Sequence, residues 1–267
     1  MVQVSVFGIK DRLGAVLATY LASMDFSVKV SERSHFPFSE EPNLASLNRK
    51  FKSNIEFVDR DQFRASPFVL LALDTPVDEG GKADYRSINR TALLLRNRMK
   101  AGSVLMISSQ VNVGFCDDLT NRKVGIAYWP ENIRRGRALE SLERTHFYAV
   151  GVDTKGTKIK LHSFFSSIPA EIHFCDLRTA ESSKVFLNGF LATCISYANE
   201  VARLCLGWAV STDVVYRHLV NDYRVGRHLP LKGGKPYLGP LERDIEELRR
   251  SSKFFESVRS INESVKK

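Results

Sequence analysis

The chain has 267 residues, of which 43% are hydrophobic, and a formal net charge of +9. It has no apolar run of about 18 residues, so a membrane span is not expected, and the opening VQVSVFG lacks the layout of a secretion signal. Four cysteines without a CxxC pair, namely Cys116, Cys175, Cys194 and Cys205, predict free thiols in a cytoplasmic protein.

The basic residues are spread along the chain rather than gathered in one block. A nucleic-acid-binding module would rest on charge alone and is therefore not expected. An anionic small ligand or plain solvation accounts for the charge equally well.

The first two thirds of the chain alternate strand-like and helix-like segments. The strand-like runs lie at residues 2–7, 27–32, 68–73, 103–108, 123–128 and 147–152. Helical patterns between them include DRLGAVLATYLASM, YRSINRTALLLRNRM and TKGTKIKLHSFF. This alternation predicts a Rossmann-like, doubly wound α/β domain over residues 1–176, with a mainly parallel sheet that binds ligands at the carboxyl ends of its strands.

After residue 176 the pattern becomes helical. The apolar positions from Thr179 to Leu206 fit one long helix without proline, and Gly207 stands where a C-cap is expected. Further helices are predicted at 211–221, 242–250 and 253–265. Residues 177–267 are therefore predicted to form an all-α domain.

The first strand leads into the turn GIKDRLG, which is typical of a dinucleotide-binding unit. Gly8 and Gly14 match the first and last glycines of that unit, with Ile9 and Lys10 between them, but the middle glycine is missing. At the end of the next strand Glu32 stands in the position of the acid that binds the ribose, which favours NAD over NADP, while the adjacent Arg33 leaves that choice open. The missing glycine predicts weakened NAD binding. The alternative is a structural turn, with Glu32 at the end of a strand.

Several later segments occur in one characteristic order. They are LALDTPVDEGGKADYRSI, SVLMISSQVNVGF, YWPENIRRGRALESL, TAESSKVFLNGFLATCISYANEVARL, DYRVG and GPLERD. In this order they resemble the UDP-glucose/GDP-mannose dehydrogenase family. The resemblance implies NAD-dependent oxidation of the C6 alcohol of a nucleotide sugar without a metal, in two hydride transfers that pass through a cysteine thioester.

The resemblance also implies site residues. Lys184 and Asn188 match the family's catalytic lysine and asparagine, Glu131 matches the glutamate of thioester hydrolysis, and Asp244 matches the aspartate of a lysine–aspartate pair. The residues expected beside the cofactor are Thr75, Pro76, Ser109 and Gln110. Structural alternatives remain: Lys184 as an exposed helix residue, Glu131 as a cap of a helix at 134–142, and Asn188 as a buried amide with a partner.

The chain departs from the family pattern at functional positions. Pro240 stands where the family has its cysteine, Gln110 and Asn112 replace a threonine and a proline, and the chain ends after SVRSINESVKK, where the family's third, UDP-binding domain would begin. A proline offers no thiol. The expected function is therefore a single two-electron oxidation of a sugar, a nucleotide sugar or another small polyol.

The alternative function is that of a non-catalytic relative, acting as a scaffold or regulatory partner in nucleotide-sugar and polysaccharide metabolism. The resemblance further implies a homodimer through the long helix, on the apolar face from Val185 to Cys205. The alternative is that this face is buried against the α/β domain of a monomer.

Overall fold

A computed structural model describes residues 1–30, 41, 43–78, 82–225 and 233–266. The chain divides into two compact units. The first comprises Met1–Pro76 and Tyr85–Lys184, and the second comprises Val77–Asp84 and Val185–Lys267. The predicted ribose-binding residues Glu32 and Arg33 lie outside the described residues.

In the described part of the first unit, eight strands form one sheet. They are β1 (Gln3–Phe7), β2 (Ser27–Val30), β3 (Ile55–Phe57), β4 (Phe68–Leu71), β5 (Val104–Ile107), β6 (Gly125–Tyr128), β7 (Phe147–Val152) and β8 (Glu171–Cys175). Their order in the sheet is β3-β2-β1-β4-β5-β6-β7-β8. All neighbours pair in parallel except β6 and β7, which are antiparallel.

The sheet has a separate hydrophobic core on each face. Successive side chains of a strand point to opposite faces, so Leu70 of β4 joins one core and Leu71 the other. The helices of this unit are α1 (Arg12–Ser23), α2 (Leu44–Lys50), α3 (Arg60–Arg64), α4 (Arg86–Arg98), α5 (Ala138–Glu143) and α6 (Lys155–Phe165). Helices α1 and α6 pack into the first core and α4 into the second. The sheet is therefore covered on both faces, as in a doubly wound fold.

The long helix α7 (Leu177–Gly207) has 31 residues and runs from the first unit into the second. Its first turn is capped by Asp176, whose carboxylate accepts hydrogen bonds from the Thr179 N–H at 2.9 Å and from the Thr179 hydroxyl at 2.6 Å. These hydrogen bonds lower the pKa of Asp176.

The second unit is helical. It contains the rest of α7 with α8 (Thr212–Asn221), α9 (Pro240–Leu248) and α10 (Lys253–Lys266). Ala192 of α7 packs with Ile245 of α9 and Val258 of α10 in one small core. None of the helices in the described ranges is long and apolar enough to cross a membrane.

The predicted fold class is confirmed: a mainly parallel, doubly wound sheet is followed by a helical region with one long helix. The predicted strand at residues 68–73 is too long, because β4 ends at Leu71. Two strands, β3 and β8, were not predicted. Both are incompletely buried and their sequences contain no continuous apolar run, which is the pattern from which the other strands were predicted. The four cysteines are free, as predicted.

Candidate active site

The turn between β1 and α1 brings backbone close to backbone. Gly8 has a φ of +105°, and a Cβ there would overlap the carbonyl of Ala72 at the end of β4. A Cβ on Gly14 would overlap the backbone of Gly8 itself. Ile9 is buried and Lys10 is exposed. Both glycines are therefore required by the close approach of α1, β1 and β4.

The segments after β4 and β5 are joined by side chains that the sequence singled out. The Thr75 hydroxyl donates to the Gln110 carbonyl at 2.6 Å, and the hydroxyl of buried Ser109 accepts a hydrogen bond from the Leu73 N–H at 2.9 Å. Pro76 follows and is exposed. These residues thus lie together at the carboxyl ends of neighbouring strands, as expected from the parallel sheet.

Two aspartates that were not predicted as site residues join the β1–α1 turn to the segment after β4. The Asp11 carboxylate accepts a hydrogen bond from the Asp74 N–H at 3.0 Å. The backbone N–H groups of Leu13 and Arg12, in the first turn of α1, act to lower the pKa of the Asp74 carboxyl. We call this hydrogen bond between Asp11 and Asp74 the aspartate latch.

Charge and desolvation act on the latch. Asp74 is exposed. Desolvation of its carboxyl and then the charge of Asp11 raise its pKa, while the charge of Arg12 and the backbone of Leu13 and Arg12 act in the opposite direction. The Arg12 guanidinium also contacts Glu41, Nη1 to Oε1 at 3.0 Å, so its positive charge is shared with that buried carboxylate.

The backbone of the turn between β1 and α1 fits the binding of a dinucleotide. Gly8 and Gly14 place no side chain of their own between α1 and the ends of β1 and β4, and these two strands flank the point where the strand order reverses. The N-terminus of α1 would hold the diphosphate, with Thr75, Ser109 and Gln110 on the adjacent segments. The latch lies at this same helix N-terminus.

Buried Lys184 and partly buried Glu131 form a polar pair in the first unit. The Lys184 ammonium donates to the Glu131 backbone carbonyl and lies 3.7 Å from Glu131 Oε1. The other carboxylate oxygen accepts the Ile133 N–H at 2.6 Å. The alternatives of an exposed Lys184 and of Glu131 as a helix cap are wrong, because Lys184 is buried and α5 begins only at Ala138.

Asn188, Arg243 and Asp244 form a second buried cluster, in the helical unit. Asn188 lies four residues after Lys184 on α7, and its Nδ2 donates to Asp244 Oδ2 at 2.7 Å. The other oxygen of Asp244 accepts from Arg243 Nε at 2.8 Å. Arg243 Nη2 lies at 2.8 Å from the same oxygen, without hydrogen-bond geometry to any described group. The buried partner expected for Asn188 is thus Asp244.

The segment immediately before α9 contains no cysteine, and its described residues 233–239 are held by amide side chains. Asn199 of α7 accepts the Gly234 N–H at 2.7 Å and donates to the Lys235 carbonyl at 3.0 Å. Asn262 of α10 accepts the N–H of buried Tyr237 at 2.8 Å and donates to its carbonyl at 3.0 Å. Pro240, at the family's cysteine position, is the first residue of α9, where its missing N–H costs no helical hydrogen bond.

Two buried glutamates of the first unit were also missed. Glu41 accepts the N–H groups of Gly136 and Ala138, at 3.1 and 3.0 Å, and so caps α5. Glu181 of α7 accepts the Cys116 N–H at 2.8 Å, and burial raises the pKa of its carboxyl. Neither has a local sequence signal, because each partner lies more than 60 positions away along the chain. Within the described ranges, no group of three or more potential metal ligands occurs.

Comparison with known proteins places these features in a family. Residues 3–168 match the model of the NAD binding domain of the UDP-glucose/GDP-mannose dehydrogenase family, and residues 178–264 match that of its central domain. UDP-glucose 6-dehydrogenase YwqF of Bacillus subtilis is 28% identical over 74% of this chain and 48% of its own length. UDP-glucose 6-dehydrogenase of Pseudomonas aeruginosa is 27% identical over 90% of this chain and 59% of its own.

A solved structure of a UDP-glucose dehydrogenase from Pyrobaculum islandicum has the same fold. It is 23% identical, with a TM-score of 0.86, and the match covers 99% of this chain and 68% of that one. This chain spans about half the length of the curated relatives it matches. Since the two domain models together match most of its residues, the chain belongs to the UDP-glucose/GDP-mannose dehydrogenase family.

Proposed function

We propose that this chain is an NAD-dependent dehydrogenase that oxidises the alcohol of a sugar, a nucleotide sugar or another small polyol by one two-electron step. In this proposal residues 1–176 form the NAD-binding domain and residues 177–267 the central domain of a cytoplasmic enzyme. The observation that carries it is the pairing of buried Lys184 with Glu131, in a chain that has Pro240 at the position of the family's cysteine.

Lys184 is the proposed base. In its amine form it accepts the proton of the substrate hydroxyl as the C–H hydrogen leaves with its electron pair. When bound, NAD⁺ supplies the hydride acceptor. The products are then a carbonyl compound, NADH and one proton, which balances the reaction. The Glu131 carbonyl and carboxylate lie beside Lys184 Nζ and so orient the side chain of the base.

Asn188 and Asp244 are proposed to stabilise the reacting oxygen or a water molecule. The Asn188 amide is oriented by Asp244, which is itself paired with Arg243, so its direction is set before substrate binds. Because Pro240 has no thiol, the carbonyl product cannot form a thiohemiacetal there, and a second hydride transfer through a thioester is not available. The proposed reaction therefore ends after one hydride.

The test is the yield of NADH per substrate oxidised, measured by absorbance with a panel of sugar and nucleotide-sugar alcohols. One NADH per substrate, with an aldehyde or ketone trapped by a hydrazine reagent, is expected. Lys184→Ala should abolish turnover, whereas the control Lys155→Ala, at an exposed lysine in the first turn of α6, should retain it. Two NADH per substrate and a carboxylate product would contradict the single step.

A second candidate is a non-catalytic relative that acts as a scaffold or regulatory partner in nucleotide-sugar or polysaccharide metabolism. Two observations favour it: Pro240 at the nucleophile position and the aspartate latch at the N-terminus of α1. This candidate predicts no turnover with any alcohol and a changed rate when the chain is added to a full-length dehydrogenase. Turnover by the isolated chain that depends on Lys184 would exclude it.

We also propose a homodimer through α7, on a face that differs from the one expected. Val185, Ala198 and Cys205 are buried within the chain, whereas Phe186 and Phe190 are more than half exposed. Tyr197 continues this exposed stripe two turns later. Sedimentation should show a dimer that Phe190→Asp dissociates, with the exposed position Lys158→Asp as the control. A monomeric wild-type chain would contradict the dimer.

A further inference from the structure

Glu181 is a fully buried residue of the first unit that the proposed reaction does not use. It lies on α7 three residues before Lys184, so the two side chains leave the same face of the helix. One oxygen of its carboxylate accepts the Gly114 N–H at 2.5 Å, and the other accepts the Cys116 N–H at 2.8 Å. Since a carboxylate is costly to bury unless hydrogen bonds satisfy it, these two donors account for the burial of Glu181.

Both donors belong to residues 108–116, which follow β5 and which we call the β5 segment. Gly114 has a φ of +92°, in the left-handed region that favours glycine. Cys116 has right-handed helical backbone and is the N-cap residue of a short 3-10 helix, Asp117–Leu119. A bend of this kind turns backbone N–H groups toward one anion. In this chain the anion is supplied by the side chain of Glu181.

The other end of the β5 segment contains two residues expected beside the cofactor, Ser109 and Gln110. The Ser109 hydroxyl accepts the Leu73 N–H at 2.9 Å, and the Thr75 hydroxyl donates to the Gln110 carbonyl at 2.6 Å. The β5 segment is therefore fixed at one end to α7 and at the other to the segment after β4. The carboxyl ends of these parallel strands are where a doubly wound sheet binds its ligand.

A second polar contact between α7 and this region is exposed. Arg178 Nε lies 2.5 Å from Asp117 Oδ2, one residue beyond the β5 segment, and 69% and 38% of the two side chains are exposed. Such a pair contributes little, because solvent screens the charges. The N–H groups that donate to Glu181 are more sensitive to the loss of their partner, because a buried donor without an acceptor keeps its full desolvation cost. The Arg178–Asp117 pair therefore serves as a matched control for Glu181.

We propose that Glu181 is a positioning residue for the cofactor: its carboxylate fixes the β5 segment against α7 and so holds Ser109 and Gln110 where they meet NAD. This inference rests on the proposed use of NAD. Glu181 touches neither cofactor nor substrate in this arrangement and acts only through the β5 segment. Because Lys184 lies one helical turn further along α7, the same contact sets the distance between the β5 segment and the proposed base.

Removing an acceptor at position 181 should weaken NAD binding more than it slows the reaction. The N–H groups of Gly114 and Cys116 would lose their partner, and the β5 segment would gain freedom in the ligand-free chain. NAD would have to restrict that freedom when it binds, which lowers its affinity. Bound NAD holds the segment again and Lys184 is unchanged, so the KM for NAD should rise by a larger factor than kcat falls.

The test is calorimetric titration of NAD into the wild-type chain and into two variants that keep different numbers of acceptors. Glu181→Gln has the same size and keeps one acceptor oxygen, whereas Glu181→Met keeps none. NAD should bind about tenfold more weakly to Glu181→Gln than to the wild type, the scale of one unpaired buried N–H group, and more weakly still to Glu181→Met. The control Arg178→Gln removes the exposed ion pair and should bind NAD as the wild type does.

Amide hydrogen exchange of the ligand-free chain tests the contact directly. Exchange at Gly114 and Cys116 should be faster in Glu181→Gln than in the wild type or in Arg178→Gln, while the buried strand β4 keeps its protection and shows that the variant is folded. A merely structural Glu181 would change these rates without changing the affinity for NAD.

Three outcomes of the titration would count against the proposal. Equal NAD affinity of the wild type and both Glu181 variants would overturn the positioning role and leave the use of NAD intact. An equal loss of affinity in Arg178→Gln would do the same, because the effect would then not be specific to the buried contact. Absence of NAD binding by the wild type would overturn both the positioning role and the proposed use of NAD.

Discussion

Replacing Asp244 by alanine should strongly destabilise the helical unit. Asp244 and Arg243 are both about 3% exposed, and Asp244 is also the partner of Asn188. Alanine would leave the Arg243 guanidinium buried without its counter-charge, which typically costs about 3–5 kcal/mol. The unpaired Asn188 amide adds about 1–3 kcal/mol. The expected loss in the free energy of unfolding is therefore roughly 4–8 kcal/mol.

A double variant separates the charge effect from the rest. Arg243→Met with Asp244→Ala removes both charges and leaves mainly the Asn188 amide unpaired, so it should be about 3 kcal/mol more stable than Asp244→Ala alone. The assay is urea unfolding followed by helical ellipticity, with Asp118→Ala as a control expected to change stability by less than about 0.5 kcal/mol. A double variant as unstable as the single one would refute the reasoning, because the buried charge would then not be the cause.

Two further predictions concern the segment before α9 and the start of α7. Asn262→Ala should lower the free energy of unfolding by about 2–4 kcal/mol, since it leaves the buried N–H and carbonyl of Tyr237 unpaired. The matched control is Ser260→Ala, at an exposed position of the same helix. An effect as small as that of the control would contradict the role of Asn262. Asp176→Ala should cost about 1 kcal/mol at neutral pH. Because the pKa of Asp176 is lowered in the folded chain, its contribution to stability is present at neutral pH and is lost as the pH falls through that lowered pKa. The free energies of unfolding of wild type and variant, measured with urea, should therefore converge in acid. A difference that stays constant with pH would contradict the cap.

The sequence predicted those parts of the candidate site that lie within one short segment. Lys184 and Asn188 lie four residues apart in a helical pattern, so their common helix could be read from the sequence. Their partners Glu131 and Asp244 were identified only through the resemblance to a family, and the pairing of each came from the structure, across 53 and 56 positions of chain. Asp11 and Asp74 carried no such resemblance and were not predicted.

The sequence by itself determined the alternation of strands and helices, the uninterrupted α7 and the glycine turn. These depend on backbone preferences and on periodicity within a few residues. Only the tertiary structure decided that β7 and β8 run opposite to the other strands, which face of α7 remains exposed, and that Asp11 accepts a hydrogen bond from the N–H of Asp74. The physical reason is that strand pairing and burial join segments far apart in the chain, and a local pattern does not record which distant backbone group lies opposite a side chain.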